Sequence, residues 1–232
     1  KTMNTTNATH TLIGPFSQII PMTNLPKAGA IQDEQLQVVE RAGVLVQEGK
    51  VLKVDSYDKL HREALENKYK LELIEEPMVL LPGLIDAHTH ICFAGSRAND
   101  YAMRVAGKSY LEIARNGGGI LDSVRKTREA TLIELVDLLK KRCDRHLREG
   151  VTTCEVKSGY GLTVEEELKM LEAIKLVNKH HPMDLIPTCL AAHMLPPEHS
   201  NQRLYLQQIL TELLPQVKEQ GLANRVDIFV EE

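Results

Sequence analysis

The sequence predicts an α/β fold with a parallel sheet over residues 79–232, behind a small, sandwich-like β-rich unit over residues 1–78. Three observations predict it. After Val79, apolar runs near 80–88, 151–156, 184–192 and 226–230 alternate with helical stretches of a dozen residues or more. Two of those stretches open on capping boxes, Thr131-x-x-Glu134 and Thr163-x-x-Glu166. Before Val79 the alternation is missing. Strands separated by helices of that length lie parallel and are joined by right-handed crossovers. Four βα units cannot close a barrel, which takes about 250 residues. The arrangement is therefore either an open doubly wound sheet or part of a larger barrel.

Each element has its own reason. Gly43 to Val54 contains two β runs around Glu48-Gly49, a hairpin signal. Ser56 to Lys70 is polar and reads as a surface helix or loop. The run Val79 to His90, broken at Pro82-Gly83, is the first strand of the larger unit. A long connection follows it, with a helical piece at Ser109–Ala114 and the triplet Gly117-Gly118-Gly119. No Gly-Lys-Ser/Thr follows the triplet, so a flexible turn is the simpler reading than a phosphate cradle. Leu132, Leu135, Val136, Leu139, Cys143 and Leu147 recur at helical spacing until Gly150 closes the helix. The next helix runs from Thr163 until Pro182 stops it, and a last one spans Leu204 to Gln220.

Composition excludes several classes. With 28 Lys and Arg against 32 Asp and Glu, the net charge is −4 and no basic stripe is present, which argues against a nucleic-acid partner. No window approaches the roughly 18 apolar residues of a membrane span. Lys1 to Pro15 lacks a basic segment followed by a long apolar one, so no signal peptide is expected. Cys92, Cys143, Cys154 and Cys189 are scattered without a Cys-x-x-Cys pair, which fits buried thiols in a reducing cytoplasm.

Chemistry concentrates at His88-Thr89-His90. In a strand, alternate side chains share a face, so the two imidazoles point the same way and form a ready pair of metal ligands. A bare His-x-His can also be two polar residues finishing a strand. The largely apolar run before it suggests a strand buried on both faces, whose carboxyl end is where ligands bind in parallel sheets. Arg97, Tyr160 and His193 follow the carboxyl ends of this and the next two strands. Position alone leaves each open: a surface salt bridge for Arg97, a packing aromatic for Tyr160, a satisfied loop residue for His193. Glu155 is expected to pair with Lys157 or Lys175, and His180-His181 to form a solvated helix end.

Pro82-Gly83-Leu84-Ile85-Asp86-Ala87-His88-Thr89-His90 resembles the first-strand signature of the amidohydrolase superfamily, metal-dependent hydrolases built on a TIM barrel. Phe93-Ala94-Gly95-Ser96-Arg97, Gly107 to Ile113, Gly117 to Ile120, Lys157 to Leu162, Glu167 to Leu171 and Ala192-His193 narrow the resemblance to the imidazolonepropionases of histidine degradation. It runs from about residue 80 onward and is weaker before. It implies the first four βα units of a (β/α)₈ TIM-like barrel. It also implies hydrolysis of 4-imidazolone-5-propanoate to N-formimidoyl-L-glutamate, in a cytoplasmic homodimer. By motif, His88 and His90 are two ligands of a single zinc or iron, Zn²⁺ or Fe³⁺, one ion per complete site. Arg97, Tyr160 and His193 become contacts to a small substrate with a carboxylate tail. The family's remaining ligands, and its general acid or base, fall on strands expected beyond residue 232, so these residues by themselves are expected to be inactive. Two other readings stand beside this one: another amidohydrolase, such as a cyclic-amide hydrolase or deaminase, and a non-catalytic α/β fragment that binds small molecules.

Overall fold

The structure, a computed structural model, describes residues 10–230. Most of the opening segment read for a signal peptide lies outside them, as do Glu231 and Glu232. The chain divides into two compact units, Lys1–Pro82 and Gly83–Glu232. Among the described residues no helix is long and apolar enough to cross a membrane.

In the first unit, β1 (His10–Ile19) lies antiparallel to β2 (Val39–Gln47), which pairs antiparallel with β3 (Lys50–Ser56). The β2–β3 turn falls on Glu48 and Gly49, with φ of 50° and 75°. Positive φ at both central residues matches the right-handed twist of the flanking strands, which is why the hairpin signal was legible. Helix α1 (Tyr57–Asn67) follows, and β4 (Lys70–Leu73) and β5 (Val79–Leu80) both run parallel to β1. Among the described residues of this unit the strands form one five-stranded sheet. Leu12 and Leu45 pack with Tyr57, Leu60 and Ala64 of α1, while Phe16, Ile19, Ala42 and Val44 form a separate cluster. The unit boundary lies four residues past the compositional one, because Val79 and Leu80 pair with β1 rather than opening the next sheet.

The second unit carries four parallel strands in the order β6 (Leu84–Thr89), β7 (Val151–Lys157), β8 (Asp184–Ala192), β9 (Arg225–Ile228). Between β6 and β7 lie α2 (Ala98–Val105), α3 (Tyr110–Arg115), α4 (Ile120–Glu129) and α5 (Leu132–Arg148). Gly83 precedes β6 because a Cβ there would sit 2.0 Å from the Thr152 hydroxyl. Thr131 and Glu134 cap α5 reciprocally, as their spacing predicts. Helix α6 (Val164–His180) forms only half of its box: Thr163 accepts from the Glu166 amide, while the Glu166 carboxylate pairs with Lys169. The last helix is continuous in chain but mixed in winding. It comprises α7 (Gln202–Gln208), a π turn at Ile209–Leu213, and α8 (Leu214–Glu219). Pro215, with no amide hydrogen to donate, lies two residues past the π turn, in the first turn of α8.

The core of this unit joins Leu135, Leu139 and Cys143 of α5, Met170, Leu171 and Ile174 of α6, and the inner strands. All four cysteines are free and buried, and burial pushes the Cys92 and Cys143 thiols up to about 12 and Cys189 up to about 11. Such thiols stay protonated and behave as small apolar residues. Burial of the first strand on both faces is not what the structure shows: Leu84 and Ile85 are 59% and 72% exposed. Among the described residues β6 has one hydrogen-bonded neighbour, β7, so nothing covers its outer side.

Candidate metal and substrate site

The carboxyl ends of the four parallel strands bring His88, His90, Tyr160, His193 and Phe229 together. The His88 and His90 rings are 5.4 Å apart between centroids and tilted by 55°. His90 lies one residue beyond β6, and its ring stacks 5.1 Å from His193, at an angle of 28°. Tyr160, three residues past β7, is 5.9 Å from His90 and 5.5 Å from His193. Phe93 and Phe229 meet the cluster edge-on, against Tyr160 and His193 respectively.

Electrostatics distinguish the two paired histidines. His88 is exposed and His90 half-buried. Burial drops the His90 imidazole to about 4, reinforced by neighbouring His193, His88 and Lys157. It is neutral at pH 7. Its Nδ1 is buried and has no hydrogen-bond partner among the described residues. A neutral imidazole with an orphaned, inward nitrogen is the protonation state a metal ligand requires. Rings 5.4 Å apart are close enough to share an ion whose nitrogens lie about 2.1 Å away. The pair therefore fits a metal. It does not complete a site, because among the described residues no group of three His, Cys, Asp or Glu is placed to hold one.

His193 is oriented by a backbone acceptor. Its Nδ1 stands 2.8 Å from the Gly159 carbonyl oxygen. A carbonyl can only accept, so Nδ1 carries the proton and Nε2 of the neutral ring is left bare. Burial raises the Tyr160 hydroxyl above the usual phenol value, partly countered by Arg97, so it remains a donor at neutral pH. Arg97, at the head of α2, donates from Nε to Asp100 at 2.5 Å and from Nη1 to Ser123 at 3.5 Å. Asp100 also accepts the Gly119 amide at 2.8 Å, which ties Arg97 to the glycine triplet. Neither Arg97 bond uses Nη2.

Beneath the rim, Lys157 bridges Glu155 at 2.7 Å and Asp227 at 2.8 Å, linking β7 to β9. Burial pulls the Lys157 ammonium down, but Asp227 and Glu155 outweigh it and hold the group above the ordinary lysine value. Thr89 donates its hydroxyl to the Glu155 carbonyl at 2.6 Å, adding β6 to the same lattice. Of the two partners expected for Glu155, Lys157 is the one it meets, while Lys175 donates to the Gln220 carbonyl. Asp227 carried no signal, since it lies 70 residues away from Lys157. His181 departs from the expected solvated end: its ring is almost wholly buried and meets Asp144 of α5 at 3.1 Å. Two further residues were given no role by the sequence. Arg142 lies 3.7 Å over the Phe93 ring and donates to the carbonyls of Ile91 and Phe93, fixing the segment after His90. Glu167, read only as part of the Glu167 to Leu171 motif, is wholly buried and accepts backbone amides of the Tyr160 loop.

No family model matches the sequence. Among curated proteins, the chain is similar to imidazolonepropionases. The one from Shewanella piezotolerans is 51% identical over 153 residues, 66% of this chain and 38% of that protein. Those from Symbiobacterium thermophilum and Streptococcus gordonii are 38% and 41% identical, each over 95% of this chain and 52% of theirs. The chain spans about half the length of the curated relatives it matches. Among solved structures, Escherichia coli guanine deaminase aligns at a TM-score of 0.61 and 15% identity, over 91% of this chain and 42% of that one. A zinc and atraton complex of an atrazine chlorohydrolase variant from Arthrobacter aurescens aligns at 0.53 and 14%, over 94% and 46%. These neighbours show the fold alone: the strands and helices of this chain are arranged as in part of those two enzymes.

Proposed function

We propose that this chain, a relative of the imidazolonepropionases, carries part of a metal-dependent site that hydrolyses 4-imidazolone-5-propanoate to N-formimidoyl-L-glutamate in histidine degradation. The observation that carries the reading is the convergence of His88, His90, Tyr160 and His193 at one rim, with the His90 Nδ1 buried and unpartnered. His88 and His90 would hold one zinc or iron, with further ligands from outside the described residues. A metal held there would supply a water of pKa near 7 as the nucleophile that a stable C–N bond demands. In the net reaction, water adds to the ring carbonyl carbon and the C–N bond to that carbon breaks, leaving a new carboxylate. The remaining work belongs to this chain's side chains. The Arg97 Nη2 edge is free to take the propionate. The protonated Tyr160 hydroxyl donates to the ring, and His193 turns its Nε2 to the same space. The reading carries with it a cytoplasmic homodimer, as the resemblance implies.

The test is made on the full-length protein, following loss of imidazolone absorbance. His90→Ala should abolish turnover and weaken cobalt or zinc binding. Arg97→Leu should raise KM on the propionate substrate about tenfold or more and spare a neutral analogue. Turnover unchanged by His90→Ala sinks the metal reading. Equal losses on both substrates for Arg97→Leu would point to a different amidohydrolase substrate.

A further inference from the structure

The Tyr160 loop is held in a shape it would not choose alone. Gly159 has φ of 107°, and a Cβ there would lie 2.7 Å from the Leu190 carbonyl oxygen. Leu162, a branched residue, takes φ of 57° while fully buried. Backbone in this region persists only when its surroundings over-determine it. What over-determines it is Glu167 of α6, which is 0% exposed. Its carboxylate accepts the Gly159 amide on both oxygens, at 3.1 and 3.0 Å, and the Gly161 and Leu162 amides at 2.8 Å each. Ser158 accepts the Leu190 amide and turns its own hydroxyl toward the same carboxylate. Near the start of the loop, the Gly159 carbonyl accepts the hydrogen bond that His193 Nδ1–H donates.

We propose that Glu167 is a positioning residue: its buried carboxylate locks the Ser158–Leu162 loop, and through the Gly159 carbonyl sets His193 in the tautomer that presents Nε2 to the rim. The significance for turnover rests on the function proposed above; the lock does not. Burial pushes the Glu167 carboxyl up and the converging amides partly offset it, since a carboxylate only accepts and three amides can converge on it. A glutamine of the same shape would turn a donor toward them.

Side-chain ¹⁵N spectra of the chain at a pH of about 8, where an ordinary histidine is neutral, give the test. Wild type should show His193 protonated at Nδ1 alone. Glu167→Gln should give an averaged mixture of tautomers, and exchange of the Gly161 and Leu162 amides about a hundredfold faster. Leu171→Ala, which opens a cavity in the same helix, should lower stability and leave the His193 signals in place. A single Nδ1 tautomer surviving in Glu167→Gln, or an equal change in Leu171→Ala, overturns the proposal. Should Glu167→Gln not fold, wild-type amide exchange decides it. Protection at Gly159, Gly161 and Leu162 equal to that of β7 supports the lock, and loop-like exchange refutes it. A full-length wild type with the tautomer signature but no imidazolone hydrolysis would remove the functional reading and leave the lock standing.

Discussion

The inner strands β7 and β8 and the outer strands β6 and β9 are written in similar letters and meet different fates. Val156, Cys154, Leu185 and Cys189 on the inner pair are at most 1% exposed. On the outer pair, Ile85, Val226 and Ile228 are between 55% and 72% exposed. Apolarity in a strand states what it can bury against, and only neighbours decide whether it does. The inner strands have a hydrogen-bonded partner on each side and α5 and α6 over them; each outer strand has one partner among the described residues.

The largest test of that contrast is Lys157→Ala. It leaves Glu155, 6% exposed at its side chain, without its cation, and removes the tie from β7 to β9. Breaking a buried ion pair from one side costs about 3–5 kcal/mol, measured as a shift of the urea midpoint at constant slope. Next comes a matched pair. Leu171→Ala, in the fully buried core, should destabilise by about 3 kcal/mol. Ile85→Ala, on the open side of β6, should stay within about 0.5 kcal/mol. Equal losses from the two would mean that the outer strand is as buried in solution as the inner ones.

The smallest effect is set off the sheet, on α4. Asp122 pairs with Lys126 and Arg125 at 2.6 Å each, and Lys126 foremost holds its carboxyl below the ordinary value of 3.8. A depressed carboxyl adds stability that is present above 3.8 and lost as pH falls through the folded value. Asp122→Asn should therefore cost well under about 1 kcal/mol at pH 7, its partners being partly solvated. It should also flatten the acid limb of a stability–pH profile and lose its effect at high salt. A loss as large as that from Lys157→Ala would erase the distinction between a pair buried on both sides and one whose cations are solvated.

Local signals were legible because their causes are local. The Glu48-Gly49 turn, the Thr131 box and the closing Gly150 each depend on a few adjacent residues, and each stands where spacing put it. The candidate site was legible as letters: His88, His90, Tyr160 and His193 all fall at one rim because each follows the carboxyl end of a parallel strand. Arg97 also lies near Tyr160, though its Nε is taken by Asp100. Glu167 was legible only as part of the Glu167 to Leu171 motif, because the amides it binds are fixed by the fold of the Tyr160 loop. His181 was misread because its partner, Asp144, lies 37 residues upstream.

The sequence by itself determined the strands and helices of the βα alternation after Gly150, the hairpin at Glu48-Gly49 and which side chains stand at the strand termini, since periodicity, caps and turn residues act within a few residues. β1, β4, α2 and α4 carried no such pattern. Tertiary structure alone decided the neutral, unpartnered state of His90, the proton position on His193, the burial of Glu167 and the joining of Lys157 to Asp227. Those depend on desolvation and on partners brought together across tens of residues, and no local pattern records either.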